Sequence, residues 1–402
     1  MGSLIAYGAA ALLAAAAPPA GSKDAAPDEA QAAERKRLEE QIAKELGQAG
    51  PAGPAAQPAP AAPPAGQGAV GGSSLARILL LPDISAIGSG AAVWNTLDVP
   101  VESPRSGPVP MAPHKVTPVF EELELGIQAV VDPYARADAF ISFGSDGVEV
   151  EEAYLTTLSL PAGFQIRAGK LKSPFGRLNQ QHPHVWDFVD APLALTRLVA
   201  LDSLSGAGAD VSWLAPVPWF AELHLSGQVT TPVAPVGIEA AGRRTAVGRL
   251  IQFLDLTEGA TLGLGLSGAL VELPGDASEK LGGADLFLKI RPLRTRAYLA
   301  VTAELFARSF SGAQSGTQDL GWYAQAVWRQ DAFWAYGLRY DRAPDVAGGA
   351  EQRGSAILTY MPSEFLRLRL QGGVDRLASG RTGYEGILAL EFAVGAHGAH
   401  PF

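Results

Sequence analysis

Residues 296–308, RAYLAVTAELFAR, alternate between apolar and polar side chains. Leu299, Val301, Ala303 and Leu305 fall on one face, and Arg296, Thr302, Glu304 and Arg308 fall on the other. The same period of two recurs in 122–129 (ELELGIQA) and in 365–371 (FLRLRLQ). This period predicts β-strands that have one apolar face and one polar face.

The alternation continues through most of residues 79–402 and divides into sixteen segments. The expected strands are 80–92, 119–131, 134–144, 148–159, 163–171, 206–214, 218–229, 246–255, 259–271, 283–291, 295–308, 318–329, 332–341, 353–361, 364–375 and 383–393. A closed barrel turns so many apolar faces to lipid and the polar faces to a water-filled lumen. The sequence therefore predicts an all-β fold, a transmembrane antiparallel up-and-down β-barrel of about sixteen strands.

The lengths of the connections favour a membrane barrel over a soluble β-sandwich, which has the same period. Short turns such as 132–133 and 361–363 alternate with longer links such as 93–118 and 172–205, and 144–147 is the exception. Outer-membrane barrels have short turns at the periplasmic end and longer loops outside. Phe402 also fits the aromatic residue that commonly ends such barrels.

Composition excludes several other classes of protein. The chain has 402 residues, no cysteine and a net charge of −10, which argue against disulfide scaffolds, thiolate metal sites and nucleic acid as a partner. No apolar run long enough for a helical membrane span occurs after residue 20.

The N-terminal part is expected to be exported and to precede the barrel. Residues 1–20 contain LIAYGAAALLAAAA, which fits a signal peptide, although no basic residue precedes the run and a short alanine-rich helix is the alternative. Residues 21–47 predict a short periplasmic helix, either a coiled coil or a solvated spacer. Residues 48–78 are rich in proline, alanine and glycine and predict a disordered linker.

The alternation stops after Leu171, and the stretch 172–205 is too long and too apolar to extend freely into solvent. We expect it to fold inward and to narrow the lumen, with a loop packed outside the barrel or over its mouth as the alternative. A fixed charge beside a narrow, partly desolvated passage biases which ions enter. The candidate constriction residues are Arg167, Lys170, Lys172, Arg177, Asp187, Asp190 and Arg197.

The run RAGKLKSPFGRLN at 167–179, with His182, His184 and the DAP of 190–192, resembles the phosphate-selective porin O and P family. Residues 120–139 and the EEAY of 151–154 are similar to early strands of that family. The resemblance implies a homotrimeric barrel of sixteen strands that passes small solutes by diffusion. Lys170, Lys172 and Arg177 match the basic motif of that family.

Charges of both signs are expected on the lumen face of the strands, so the residues leave open whether anions or cations are preferred. The candidates are Glu122, Glu124, Arg296, Glu304, Arg308, Arg339, Arg367 and Arg369. The pairs His182/His184 and His397/His400 are weak candidates for a metal site, and local turn or capping roles are favoured because no carboxylate has an evident ligand spacing.

The sequence thus predicts a passive outer-membrane porin for small hydrophilic solutes or ions, with the N-terminal helix and linker in the periplasm. A receptor barrel for a metal or chelate, and a non-conducting structural barrel, are the alternatives. No nucleophile, Walker or zinc-protease motif occurs, so neither catalysis nor a cofactor is expected.

Overall fold

A computed structural model describes residues 82–97, 101–103, 107–109, 113–145, 147–201, 203–232, 242–275, 277–312, 318–345 and 348–395. The predicted signal peptide, helix and linker, together with His397, His400 and Phe402, lie outside the described residues. No helix within the described ranges has the length and apolar character needed to cross a membrane.

The main sheet has sixteen strands, each of which overlaps a strand predicted from the alternation. They are β1 (Asp83–Asn95), β4 (Val116–Asp132), β5 (Ala135–Gly144), β6 (Gly147–Thr157), β7 (Phe164–Lys172), β8 (Ser205–Leu214), β9 (Phe220–Thr230), β10 (Arg243–Thr257), β11 (Ala260–Glu272), β12 (Ser278–Ile290), β13 (Tyr298–Ser311), β14 (Gln318–Arg329), β15 (Trp334–Pro344), β16 (Ala350–Ser363), β17 (Leu366–Arg376) and β18 (Thr382–Gly395). A separate hairpin, β2 (Val101–Ser103) and β3 (Gly107–Val109), lies in the first long connection.

Each strand pairs antiparallel with its neighbour in sequence, and β1 pairs with β18 to close the barrel. The closing register joins Ser85 to Gly395 and Asn95 to Glu385. Closure leaves no unpaired sheet edge, which is the condition for a β-structure in hydrocarbon. The predicted fold class is therefore confirmed.

The wall is polar inside and apolar outside, the reverse of a soluble protein. The outward side chains Leu266, Leu338 and Leu370 are 62%, 67% and 55% exposed. The inward side chains Glu124, Asp341 and Gln371 are buried. An exposed apolar surface of this extent matches a barrel that meets lipid.

Short and long connections alternate along the chain less regularly than predicted. Links 96–115, 173–204 and 231–242 are long, but 273–277 and 345–349 are as short as the turns at the other end. The reason is that several strands extend into predicted loops. For example, β12 begins at Ser278 rather than at 283, and β16 begins at Ala350 rather than at 353.

Residues 173–204, here called the inward segment, fold against the inner face of the wall. They contain the single-turn 3-10 helices Leu178–Gln180 and Pro183–Val185 and the helix α1 (Leu193–Leu198). The apolar side chains of the segment pack with inward side chains of the wall such as Val247, Leu281 and Phe306. The segment therefore occupies part of the lumen, and the alternative of a loop packed over the mouth is wrong.

The two ends of the inward segment are held together. The Ser173 amide donates a hydrogen bond of 2.7 Å to the carbonyl of Leu204. The Asn179 amide group donates to the carbonyls of Ser173 and Leu204 at 3.0 and 3.1 Å, and its oxygen accepts from the Leu204 amide. The segment is thus a closed loop whose entry and exit are adjacent.

Candidate functional site

Between the inward segment and the strands β4 to β10 lies a polar cavity of about 510 Å³. Its lining includes five cationic side chains, the carboxylates Glu152 and Glu222, and two histidines. The cationic side chains are Arg136, Arg167, Lys172, Arg177 and Arg249. The cavity thus lies inside the barrel, beside the inward segment.

Arg177 differs from the other four cations of the cavity. Asp138, Asp210 and Asp285 accept ion pairs from three of them, at 2.9, 2.9 and 2.6 Å, and Glu151 lies 3.4 Å from the fourth. The Arg177 guanidinium lies 3.9 Å from the centroid of the Phe287 ring and pairs with no carboxylate among the described residues. Burial lowers the pKa of Arg177, but a guanidinium stays protonated at neutral pH.

The backbone around Arg177 is fixed by the wall. The amides of Arg177 and Leu178 donate to Glu304 on β13, the second at 3.2 Å, and Gly176 donates to Ser267 at 3.1 Å. Gly176 has φ of 67°, and a Cβ there would lie 3.1 Å from a Glu304 oxygen. Glycine is therefore required where the segment approaches β13.

The structure brings only some of the predicted constriction residues to this cavity. Arg167, Lys172 and Arg177 line it, whereas Lys170 is absent from its lining and binds Glu149 at 3.0 Å. Asp187 lines a separate cavity of about 70 Å³. Arg197 pairs with Glu351 at 3.3 Å.

Asp190 lies in a buried ion-pair network and does not line this cavity. Arg339 and Arg353 donate to its carboxylate at 2.8 and 2.7 Å, and Gln371 donates at 2.5 Å. Burial raises the pKa of Asp190, but the two guanidiniums outweigh burial and lower this pKa to about 2. Asp187 shows the opposite result, because burial raises its pKa more than Arg367 and Arg369 lower it.

Several charges predicted to face the lumen do face it, but they hold the inward segment rather than line open water. Arg367 and Arg369 donate to the carbonyls of His184, Trp186 and Phe188. Glu304 accepts from the segment backbone, and Arg339 donates to the carbonyl of Asp190 at 2.9 Å.

The remaining predicted charges have other surroundings. Arg308 pairs with Asp319 at 2.8 Å on the inner wall. Glu122 accepts from Ser142 at 3.0 Å. Arg296 is exposed in the link between β12 and β13, because β13 begins two residues later than its position. The expectation that Arg296 lies on a strand is therefore wrong.

His182 and His184 lie in a buried group with Glu124 of β4 and Glu151 and Glu152 of β6. His182 Nδ1 is 2.8 Å from Glu124, and its Nε2 is 2.8 Å from Glu152. Burial and Lys172 lower the pKa of His182, but hydrogen bonds to Glu124 and Glu151 outweigh them and raise it well above its usual value. His182 precedes the short helix Pro183–Val185 and makes no side-chain capping bond to it, but its carbonyl accepts the turn hydrogen bond of the Val185 amide at 3.0 Å.

Arg136, Arg249, Glu222 and His224 line the cavity and were missed by the sequence reasoning. Each lies at an inward position of a strand that was predicted with nearly correct bounds. The alternation in each strand therefore indicates that these residues face inward. Nothing local in the sequence shows which inward charges lie at the same height in the closed barrel.

Comparison by sequence finds one relative and no family model. No known family model matches the chain. An uncharacterised protein of Aquifex aeolicus (strain VF5) is 34% identical over 325 residues, and the match covers 69% of each chain. That relative shares the family but brings no activity with it.

Solved structures of outer-membrane channels have the same fold. The anion-selective porin from Comamonas acidovorans matches with a TM-score of 0.56 at 9% identity, over 78% of this chain and 99% of that one. Pseudomonas putida OprB matches with 0.57 at 9% identity, over 80% and 96% of the two chains. The channel DcaP of Acinetobacter baumannii matches with 0.53 at 12% identity, over 78% and 97%. At these identities the likeness establishes the fold alone.

Proposed function

We propose that this chain, which belongs to the same family as the uncharacterised Aquifex aeolicus protein, is an outer-membrane channel through which small hydrophilic solutes diffuse passively. The observation that carries the proposal is the polar cavity of about 510 Å³ inside a wall whose apolar face is exposed. The barrel fold shared with outer-membrane porins supports both the channel and its membrane.

We further propose that the inward segment narrows the passage and that the narrowed part favours anions. Four of the five cationic side chains that line the cavity are paired with carboxylates, whereas Arg177 pairs with no carboxylate among the described residues. In a narrow, partly desolvated passage a guanidinium that is not paired with a carboxylate raises the local concentration of anions beside it.

Phosphate is one candidate anion, because Lys172 and Arg177 belong to the motif that resembles the phosphate-selective porins. Lys170, the third residue of that motif, is outside the lining, which favours a general anion preference over a dedicated phosphate site. The proposal further includes a homotrimer, a periplasmic N-terminal helix and no catalytic role. Light scattering of the protein in detergent measures whether trimers form.

The reversal potential across a planar bilayer in a KCl gradient tests the anion preference. We expect a wild-type potential of the sign given by chloride. Arg177→Gln should move it toward zero, Arg177→Glu should move it further toward the cation side, and Arg177→Lys should leave it almost unchanged. Arg244→Gln is the matched control, because Arg244 is exposed and lies outside the cavity lining.

A cation-selective wild type would overturn the anion preference while leaving the channel proposal intact. Equal potentials for wild type, Arg177→Glu and Arg244→Gln would place Arg177 outside the conducting path. Folded, heat-modifiable protein that never conducts would contradict the channel itself and favour a structural barrel with a filled lumen.

A further inference from the structure

The inward segment meets strands β4 and β6 at a buried cluster of imidazoles and carboxylates. Ligand atoms of Glu124, His182 and His184 all lie within 4.8 Å of one another, and all three residues are buried. Glu151 approaches the same place, with Oε2 at 3.2 Å from His182 Nδ1. The proposed passage of solutes does not depend on this cluster.

Three of the six separations among the four ligand atoms compare with those around a tetrahedral metal ion. Bonds to zinc of 2.0–2.2 Å place neighbouring ligand atoms about 3.3 Å apart. Glu124 Oε2 lies 3.4 Å from His184 Nδ1 and 2.8 Å from His182 Nδ1. With the contact of 3.2 Å between His182 and Glu151, two edges of such a tetrahedron are near the expected length, and the edge between Glu124 and His182 is shorter.

An independent feature directs the Nδ1 atom of His182 into the cluster. Its Nε2 lies 2.8 Å from Glu152 Oε2, so Glu152 accepts the Nε2 proton. Glu152 is itself oriented, because its other oxygen accepts the Lys172 amide at 2.8 Å. A carboxylate that accepts the second N–H of a ligating histidine is a regular feature of zinc sites, where it fixes the tautomer.

The charge of the cluster also favours a cation. Four carboxylates, Glu122, Glu124, Glu151 and Glu152, meet here, with Lys172 beside Glu151 and Arg167 acting on Glu152, so neutral imidazoles leave negative charge in excess. A buried excess of charge is costly unless a cation compensates it. Two protonated imidazoles, or one divalent cation, would neutralise most of this excess negative charge.

We propose that Glu124, Glu151, His182 and His184 hold a divalent cation of the zinc class that fastens the inward segment to the barrel wall. Two imidazole nitrogens and two carboxylates suit zinc, nickel or cobalt, whereas calcium and magnesium prefer oxygen ligands throughout. The ion joins His182 of the segment to Glu124, 58 positions earlier on β4, and to Glu151 on β6.

Titration of the metal-free, full-length protein in detergent tests the proposal, with Zn²⁺ as the probe and isothermal calorimetry and elemental analysis as readouts. We expect one Zn²⁺ per chain for wild type. Removal of both imidazoles in His182→Gln/His184→Gln should abolish binding. Glu152→Gln should weaken binding by about tenfold to a hundredfold, because only the orienting carboxylate is lost.

His224→Gln is the matched control. His224 is also a buried histidine of the lumen and contacts two carboxylates, Asp210 at 3.0 Å and Glu222 at 3.4 Å. Among the described residues it belongs to no group with a second imidazole that could hold a metal ion. This variant should bind Zn²⁺ as wild type does. Retained heat modifiability on gels shows which variants still form the barrel.

Cobalt keeps the test decisive if the double variant fails to fold. Wild type loaded with Co²⁺ should show the visible absorption of a tetrahedral ion, and Zn²⁺ should displace it. Wild type that binds no Zn²⁺, or equal binding by wild type and a folded double variant, would overturn the proposal and assign the compensation of charge to protonated imidazoles.

Discussion

The barrel wall and the inward segment are specified by different kinds of contact. Each strand of the wall pairs with the next strand in sequence, and its side-chain alternation fixes which face meets lipid. The segment is held by partners far away in sequence, such as the bond between the Val189 amide and Gln371, 182 positions apart. Local periodicity therefore encodes the wall, whereas the assembled wall is required before the segment has a place to bind.

Deletion of the inward segment tests whether the wall forms without it, and should have the largest effect of the changes proposed here. Because Ser173 and Leu204 are hydrogen-bonded at 2.7 Å, a short Gly-Ser link can replace 174–203 without moving β7 or β8. We expect the barrel to form, as judged by heat modifiability, and the rate of sugar uptake in liposome swelling to rise several-fold. A variant that never forms a barrel would show that the wall depends on the segment.

Asp190 offers a sharper test of how the segment is held. Asp190→Asn keeps the shape but leaves Arg339 and Arg353 without one of their carboxylates in a buried place. Loss of one partner of a buried pair costs about 3 kcal/mol or more. Denaturant unfolding followed by tryptophan fluorescence should show this loss, whereas Asp255→Asn near the exposed end of β10 should stay within about 0.5 kcal/mol. Equal stability of the two variants would contradict the role of Asp190.

The fold was predictable because its signal is local. In β13 the alternation of Leu299, Val301 and Leu305 with Thr302 and Glu304 gives the strand, its inward face and its outward face together. The ends were less predictable, since strands such as β12 continue beyond the clear alternation. Backbone pairing with a neighbour extends a strand even where its side chains show no pattern.

The candidate site was predictable only in part, because closure of the barrel and the path of the segment decide which charges meet. Arg167, Lys172 and Arg177 were identified from a stretch in which they lie close together. The carboxylates beside His182 come from β4 and β6 and have no ligand spacing in sequence. Lys170 shows the converse, since its place in the motif does not bring it to the cavity.

A substitution on the outer face of the wall should have the next smaller effect on stability. Leu338 is 67% exposed on β15 and is expected to face lipid. Leu338→Arg should destabilise the barrel in lipid vesicles by about 2–4 kcal/mol if the site is near the middle of the bilayer, and by less near its surface. Leu338→Phe is the neutral control. An arginine variant as stable as wild type would place this face away from hydrocarbon.

Acid should loosen the segment through Asp190, with the smallest of these effects. The pKa of Asp190 is lowered from 3.8 to about 2, so its ion pairs stabilise the folded protein fully above about pH 4 and lose this effect as the pH falls toward 2. Proteolysis by pepsin should therefore cut the segment faster at pH 2 than at pH 4. Asp190→Asn should show a smaller difference between these two pH values, and an unchanged difference would exclude Asp190 as the cause.

Conductance of the purified wild-type protein in a planar lipid bilayer is the most direct test of whether the barrel is a membrane channel, because only a lipid-embedded wall around an aqueous interior carries current. We expect discrete conductance steps whose reversal potential in a KCl gradient has the sign of anion preference. A well-folded protein that stays monomeric and soluble without detergent, and that adds no conductance to the bilayer, would contradict this expectation.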